Sequence, residues 1–97
     1  MKYRHYSPRA RVVIVSGPGE PDETATAGYI GIDPVGKGRS FRISKICRNT
    51  KNYAHDLYDF FRRCDEAGVT IVYCQSVAPR GIGLAVMDRI RRASREE

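Results

Sequence analysis

Tyr3, Arg4, His5 and Tyr6 stand in one uninterrupted run near the start of the chain, between Lys2 and the pair Ser7-Pro8. Each of the four can hydrogen-bond, stack or hold an anion. Arg4 offers a planar fork that grips a carboxylate or phosphate through two parallel bonds. Tyr3 and Tyr6 can cover an apolar or adenine-sized surface with their hydroxyls left to bond. His5 can orient neighbours or hold an anion, and Pro8 fixes the backbone where a folded domain begins. Such a run suits a segment that lies on something charged and partly flat. Its plain alternative is a solvated N-terminal arm.

Two glycine pairs are the next candidates, Gly17-Pro18-Gly19 and Gly81-Ile82-Gly83. In a dinucleotide-binding turn, glycines let a phosphate approach backbone N–H groups at a helix start. A third glycine would stand three residues on, where this chain has Asp22 and Val86. Asp22 would repel a phosphate, so the first pair reads as a plain turn. Arg80, Gly81 and Gly83 form a candidate anion site, weighed against close packing of a helix on a sheet. His55 beside Asp56, one turn from Asp59, reads as a surface histidine, and no serine lies in a Gly-x-Ser-x-Gly elbow. Arg62 and Asp65 are spaced to pair along a helix, and Asp88-Arg89 invites the same reading, with Arg89 a candidate docking residue. Cys47, Cys64 and Cys74 are odd in number and lack Cys-x-x-Cys spacing. They fit a reducing compartment, with Cys64 and Cys74 as small core residues. With only His5 and His55 to join them, no metal site is expected.

The elements that must position these residues follow from periodicity. Arg11 to Ser16 is a β-branched run with four apolar residues in succession and reads as a buried central strand. Gly28 to Ile32 suggests a second strand and Phe41-Arg42-Ile43 a short third. Thr50 can cap a helix running to about Ala67, with Gly68 as its stop and Ala54, Leu57, Tyr58, Phe61 and Cys64 as its apolar stripe. Val69 to Cys74 is a strand. A last helix starts near Gly83, with Leu84, Met87, Ile90 and Ala93 facing inward. Strand, helix, strand and helix in that order predict a small Rossmann-like α/β domain, a mainly parallel sheet flanked by helices. The crossover from Gly17 to Gly28 is short for a helix and predicts an irregular front half.

Ninety-seven residues with 41% hydrophobic and 29% charged make one ordinary globular domain. No apolar run approaches the roughly 20 residues that span a bilayer, and no signal peptide is visible, which predicts a cytoplasmic protein. The net charge of +6 favours polyanions without choosing among them. One reading is therefore a tRNA-binding module with Arg39, Arg42, Arg48, Arg89, Arg92 and Arg95 on one face. Another is a stand-alone mononucleotide-binding protein using the Gly81 loop.

A third reading rests on likeness. Lys2-Tyr3-Arg4-His5-Tyr6-Ser7-Pro8 resembles the interdomain linker of two-domain L-threonylcarbamoyladenylate synthases of the Sua/YrdC/YwlC family. The remainder resembles that family's C-terminal domain through Tyr53-Ala54 with Leu57-Tyr58, Arg62 with Asp65, Gly81 to Ala85, Met87-Asp88-Arg89 and Ala93. The resemblance implies a linker or lid over residues 1–10 and a C-terminal domain over 11–97. Tyr3, Arg4, His5 and Tyr6 would contact ligands in the full-length enzyme, with no catalytic residue in this chain. The chemistry, condensation of threonine, bicarbonate and ATP for tRNA modification, would belong to an N-terminal YrdC-type domain. That domain would be the partner and would hold ATP and a divalent cation, this chain needing no cofactor of its own. The chain itself is then expected to be a fragment, inactive alone.

Overall fold

The computed structural model describes residues 8–94. Strands β1 (Arg11–Val15), β2 (Gly28–Gly31), β3 (Ile43–Ile46) and β4 (Ile71–Gln75) pair into one sheet in the order β1-β4-β2-β3. Every pairing is parallel, with Val12 opposite Val72, Gly28 opposite Val72, and Gly28 opposite Ile43. Helices α1 (Thr50–Ala67) and α2 (Ile82–Ser94) complete the α/β domain.

Alternation along the strands sorts the sheet into two faces. Val12, Val72, Cys74 and Ile30 point to one face, where they join Leu57, Phe60, Phe61 and Ile90 of the helices in a single buried core. The opposite face carries Val15, Tyr29, Tyr73 and Gln75. α1 returns the chain from β3 past β2 to β4, whereas the β1–β2 and β2–β3 connections cross the sheet in the opposite sense. Right-handed crossovers put those two connections on the face that α1 leaves open. Phe41, from the second connection, stacks there on Tyr29 at 5.2 Å and meets Tyr73 edge-on at 6.4 Å. Arg39 joins the two connections by donating to the Pro21 carbonyl. This is a doubly wound plan in which irregular chain replaces the helices of one layer, as the short first crossover predicts.

Four expectations change. β1 is an edge strand: its apolar run reflects cover on two faces, and only β4 pairs with it. The third strand starts at Ile43, with Phe41 used for stacking and the Arg42 N–H bonded to the Ala27 carbonyl at 2.9 Å just ahead of the ladder. The cap of α1 is Asn49, whose backbone is extended and whose Oδ1 accepts the Asn52 N–H at 2.9 Å. Thr50 is the first helical residue. Leu84 faces solvent, 55% exposed, while Val86 is fully buried. The phase of α2 is set by Gly83, where a Cβ would lie 2.0 Å from the Ala78 carbonyl oxygen. The buried line is then Gly83, Val86, Met87, Ile90 and Ala93.

Candidate functional site

Tyr3, Arg4, His5 and Tyr6 lie outside the described residues. The structure does describe the root from which that segment departs. β1 runs away from this root, so the chain preceding Pro8 joins the domain at the amino edge of the sheet. Pro8 and Ala10 are buried. Between them the Arg9 N–H donates to Asp65 Oδ1 at 2.9 Å, and the Arg11 N–H donates to the Thr70 carbonyl at 2.9 Å.

The end of α1 supplies this anchorage. Gly68 adopts a left-handed conformation at φ 74°, and its N–H bonds the Asp65 carbonyl at 3.1 Å. Val69 bonds the Cys64 carbonyl at 3.3 Å, and both residues are buried. This paired closure satisfies carbonyls the helix leaves free. Arg42 Nε donates to the Ala67 carbonyl at 3.0 Å and covers another. Asp65 is thereby held at the helix end, facing the incoming chain. The expected Arg62–Asp65 pair is not formed. Arg62 bonds Asp59 on its own helix, and Asp65 turns to the Arg9 backbone. Sequence spacing identifies which residues can meet along a helix, but a partner 56 positions away cannot be read from it.

The second candidate, Arg80-Gly81-Gly83, sits at the opposite, carboxyl edge after β4. Arg80 and Gly81 are exposed, and Gly81 is left-handed at φ 61°. The Gly83 N–H donates to the Arg80 carbonyl and the Leu84 N–H to the Gly81 carbonyl, each at 3.1 Å. Two donors at the start of α2 are therefore engaged within their own turn. A strand of this length separates the two candidate regions by about 16 Å.

Gln75 lies at the carboxyl edge and was not singled out by the sequence. Its Oε1 accepts the Ile32 N–H at 2.7 Å, the Asp33 N–H at 2.9 Å and the Tyr29 hydroxyl at 3.1 Å. Its amide donates to the Ser16 carbonyl at 3.4 Å. Successive backbone N–H groups beyond a strand resemble an anion-binding nest, and here a side-chain oxygen fills it. Gly31 makes room, since a Cβ there would meet Gln75 Oε1 at 2.6 Å. A glutamine ending an apolar strand was the signal available.

Several of the charged residues are engaged within the domain. Arg89 donates to the Ala54 carbonyl at 3.1 Å and lies over the Tyr58 ring at 5.3 Å, tying α2 to α1. Arg92 pairs with Asp88 at 3.3 Å. With Arg39 and Arg42 of the β2–β3 connection also bonded to carbonyls, four of the named arginines serve intramolecular contacts. Arg48 is exposed beyond β3, and Arg95 is outside the described residues. His55 bonds Asp56 at 2.9 Å, the main cause of an Asp56 carboxyl below its ordinary range. Cys47, Cys64 and Cys74 are all buried. Burial pushes the Cys47 thiol up to about 11 and Cys64 to about 12, and raises Cys74 as well. Among the described residues no group of histidines, cysteines and carboxylates gathers for a metal.

Residues 1–95 match the family model of the threonylcarbamoyl-AMP synthase C-terminal domain, and the chain belongs to that family. It is 32% identical over 107 aligned positions to the threonylcarbamoyl-AMP synthase of Pyrococcus abyssi, covering 97% of this chain and 31% of that protein. The corresponding enzyme of Bacillus subtilis is 28% identical, with the same two shares covered. The crystal structure of P. abyssi Sua5 complexed with L-threonine superposes with a TM-score of 0.69 at 30% identity, over 97% of this chain and 31% of that one. The chain thus spans about a third of the length of the relatives it matches.

Proposed function

We propose that this chain is the linker and C-terminal domain of a threonylcarbamoyl-AMP synthase, holding Tyr3, Arg4, His5 and Tyr6 over the active site of a YrdC-type domain. The enzyme joins L-threonine, bicarbonate and ATP into threonylcarbamoyl-AMP, releasing pyrophosphate and water, for threonylcarbamoyladenosine formation in tRNA. A carbamate loses CO₂ readily and an acyl-adenylate hydrolyses, so both need shielding from water. A closing segment excludes water, and its opening releases pyrophosphate and product. ATP and a divalent cation belong to the catalytic domain, which acts in the cytoplasm as a nucleotidyltransferase. The C-terminal domain has a regulatory part, anchoring the far end of the closing segment.

The observation that carries this reading is the root itself. The segment most like the family's linker leads into Arg9, which the domain holds through buried Pro8 and Ala10 on either side and the bond to Asp65. The test is pyrophosphate release by the full-length enzyme carrying Arg4→Ala, or Tyr3→Ala with Tyr6→Ala. Both variants lose adenylate formation with the C-terminal domain still folded, and Arg4→Lys also loses it because an ammonium lacks the planar fork. Normal rates in folded variants would overturn the reading.

A further inference from the structure

Strand β4 is where the crossovers of this sheet part. Helix α2, which follows it, packs on β1 and α1. The connections leaving its two neighbours, β1 and β2, run over the other face. In open α/β sheets such a divergence leaves a crevice beyond the carboxyl ends of the strands, and ligands bind there. Here the side chain of Gln75, the last residue of β4, lies in that crevice and is only 8% exposed.

The wall around this side chain suits a primary amide. The Ile32 and Asp33 N–H groups, consecutive donors beyond β2, hold Oε1 at 2.7 and 2.9 Å. They match the two lone pairs of a carbonyl oxygen and fix which end of the amide is oxygen. On the other side, Nε2 donates to the Ser16 carbonyl at 3.4 Å. The hydroxyl of fully buried Tyr29 lies 3.1 Å from Oε1 and 3.0 Å from the Asp33 carbonyl. Gly31 leaves the space, because a Cβ there would stand 2.6 Å from both Cβ and Oε1 of Gln75. The rim is acidic. A Cβ on Gly17 would lie 3.8 Å from Asp33 Oδ2, which places that carboxylate against the turn after β1. Glu20 Oε1 accepts the Ser16 N–H at 2.7 Å and the Ser16 hydroxyl at 2.9 Å. Two carboxylates and the Ser16 carbonyl disfavour a phosphate or a second carboxylate. A neutral group with both a carbonyl oxygen and an N–H meets no such repulsion.

We propose that the carboxyl-edge crevice is a primary-amide binding site for which Gln75 is the built-in ligand. In the native domain the site is taken, so free amides and nucleotides do not enter it. Cutting the side chain back to Cβ opens it to small neutral amides. The site lies at the edge of the sheet opposite the linker root and does not depend on the linker.

The experiment compares the 97-residue chain with its Gln75→Ala variant, using acetamide as the probe. Dimethylacetamide keeps the oxygen but has no N–H, and acetate keeps the size but carries charge. In the unmodified chain, neither acetamide nor AMP moves the amide resonances of Ile32 and Asp33. In Gln75→Ala, acetamide moves both along a saturable course. It also raises the thermal midpoint, beyond any effect on the unmodified chain, by about 5–10 °C at nine-tenths occupancy, roughly the linkage shift for a domain of this size. Dimethylacetamide and acetate give less than half that shift. If the variant is unfolded in buffer, recovery of its helical circular dichroism in acetamide but not in dimethylacetamide is the same result. No response to acetamide, whether the variant starts folded or unfolded, would overturn the site. Equal responses to the three probes would overturn it as well, by showing general solvation. Movement of the Ile32 and Asp33 resonances by AMP or acetamide in the unmodified chain would overturn Gln75 as its ligand.

Discussion

Gln75 and Tyr53 show how single side chains hold the carboxyl edge of the sheet. The Tyr53 hydroxyl is buried and donates to the Gln75 carbonyl at 2.7 Å, while Gln75 Oε1 takes two backbone N–H groups of the loop after β2. Strand β2 ends at Gly31 because the next two donors turn to Gln75 instead of a ladder. Buried polar groups are tolerated when each is partnered, and among the described residues no buried side-chain polar atom lacks one. Removing the acceptor reverses this. Gln75→Leu strands the Ile32 and Asp33 donors and costs about 2–4 kcal/mol. In a domain of this size that lowers the thermal midpoint by about 10–25 °C, measurable by circular dichroism. A shift within about 3 °C would mean that water replaces the amide without penalty.

At the scale of elements, α2 depends on a contact that no helix propensity describes. Gly83 lies where a Cβ would approach the Ala78 carbonyl to 2.0 Å, so the turn from β4 into α2 closes only around a bare backbone. The Gly83→Ala change improves intrinsic helix propensity by about 1 kcal/mol. Tertiary crowding has the opposite sign and wins. The variant is less stable by about 2–3 kcal/mol, the cost of overpacking, as denaturant unfolding would show. Stabilisation would mean that the 76–81 loop yields freely. The same crowding explains why Leu84 faces water: rotating α2 to bury it would carry Gly83 away from its slot and expose Val86.

Across the whole molecule, the three thiols report on the integrity of the core. They come from the end of β3, from α1 and from β4, and all are buried. Burial raises Cys47 to about 11 and Cys64 to about 12 from an ordinary 9.0. Since the folded values lie above the unfolded one, the stability they contribute is complete below about pH 9 and falls as pH rises through 9 to 12. Denaturation midpoints are therefore level between pH 7 and 8 and decline at pH 10. At neutral pH a thiol reagent labels the native protein only as fast as it opens. Rapid labelling in the folded state, or a flat midpoint to pH 10, would contradict a dry core around these residues.

The features legible in the residues alone were local ones. The β-branched runs define β1 and β4, the three-and-four spacing defines both helices, and Gly68 ends α1 through a conformation few other residues adopt. These features depend on neighbours within a few positions, and they sufficed for an α/β domain with a parallel sheet. The motif Lys2 to Pro8, with the later glycine and arginine stretches, sufficed for the family. Partners and places remained for the tertiary structure. An apolar run reports burial on its faces but not pairing at its edges, so β1 proved an edge strand. Helical spacing offers Arg62 to Asp65, yet Asp65 bonds a backbone that reaches it only because β1 and β4 are aligned in parallel. Gln75 gains its role from the loop after β2, which chain connectivity alone does not bring near. Hydrophobic patterning acts through local periodicity, whereas a directed hydrogen bond depends on two distant segments meeting within about 3 Å, and only the packed molecule decides that.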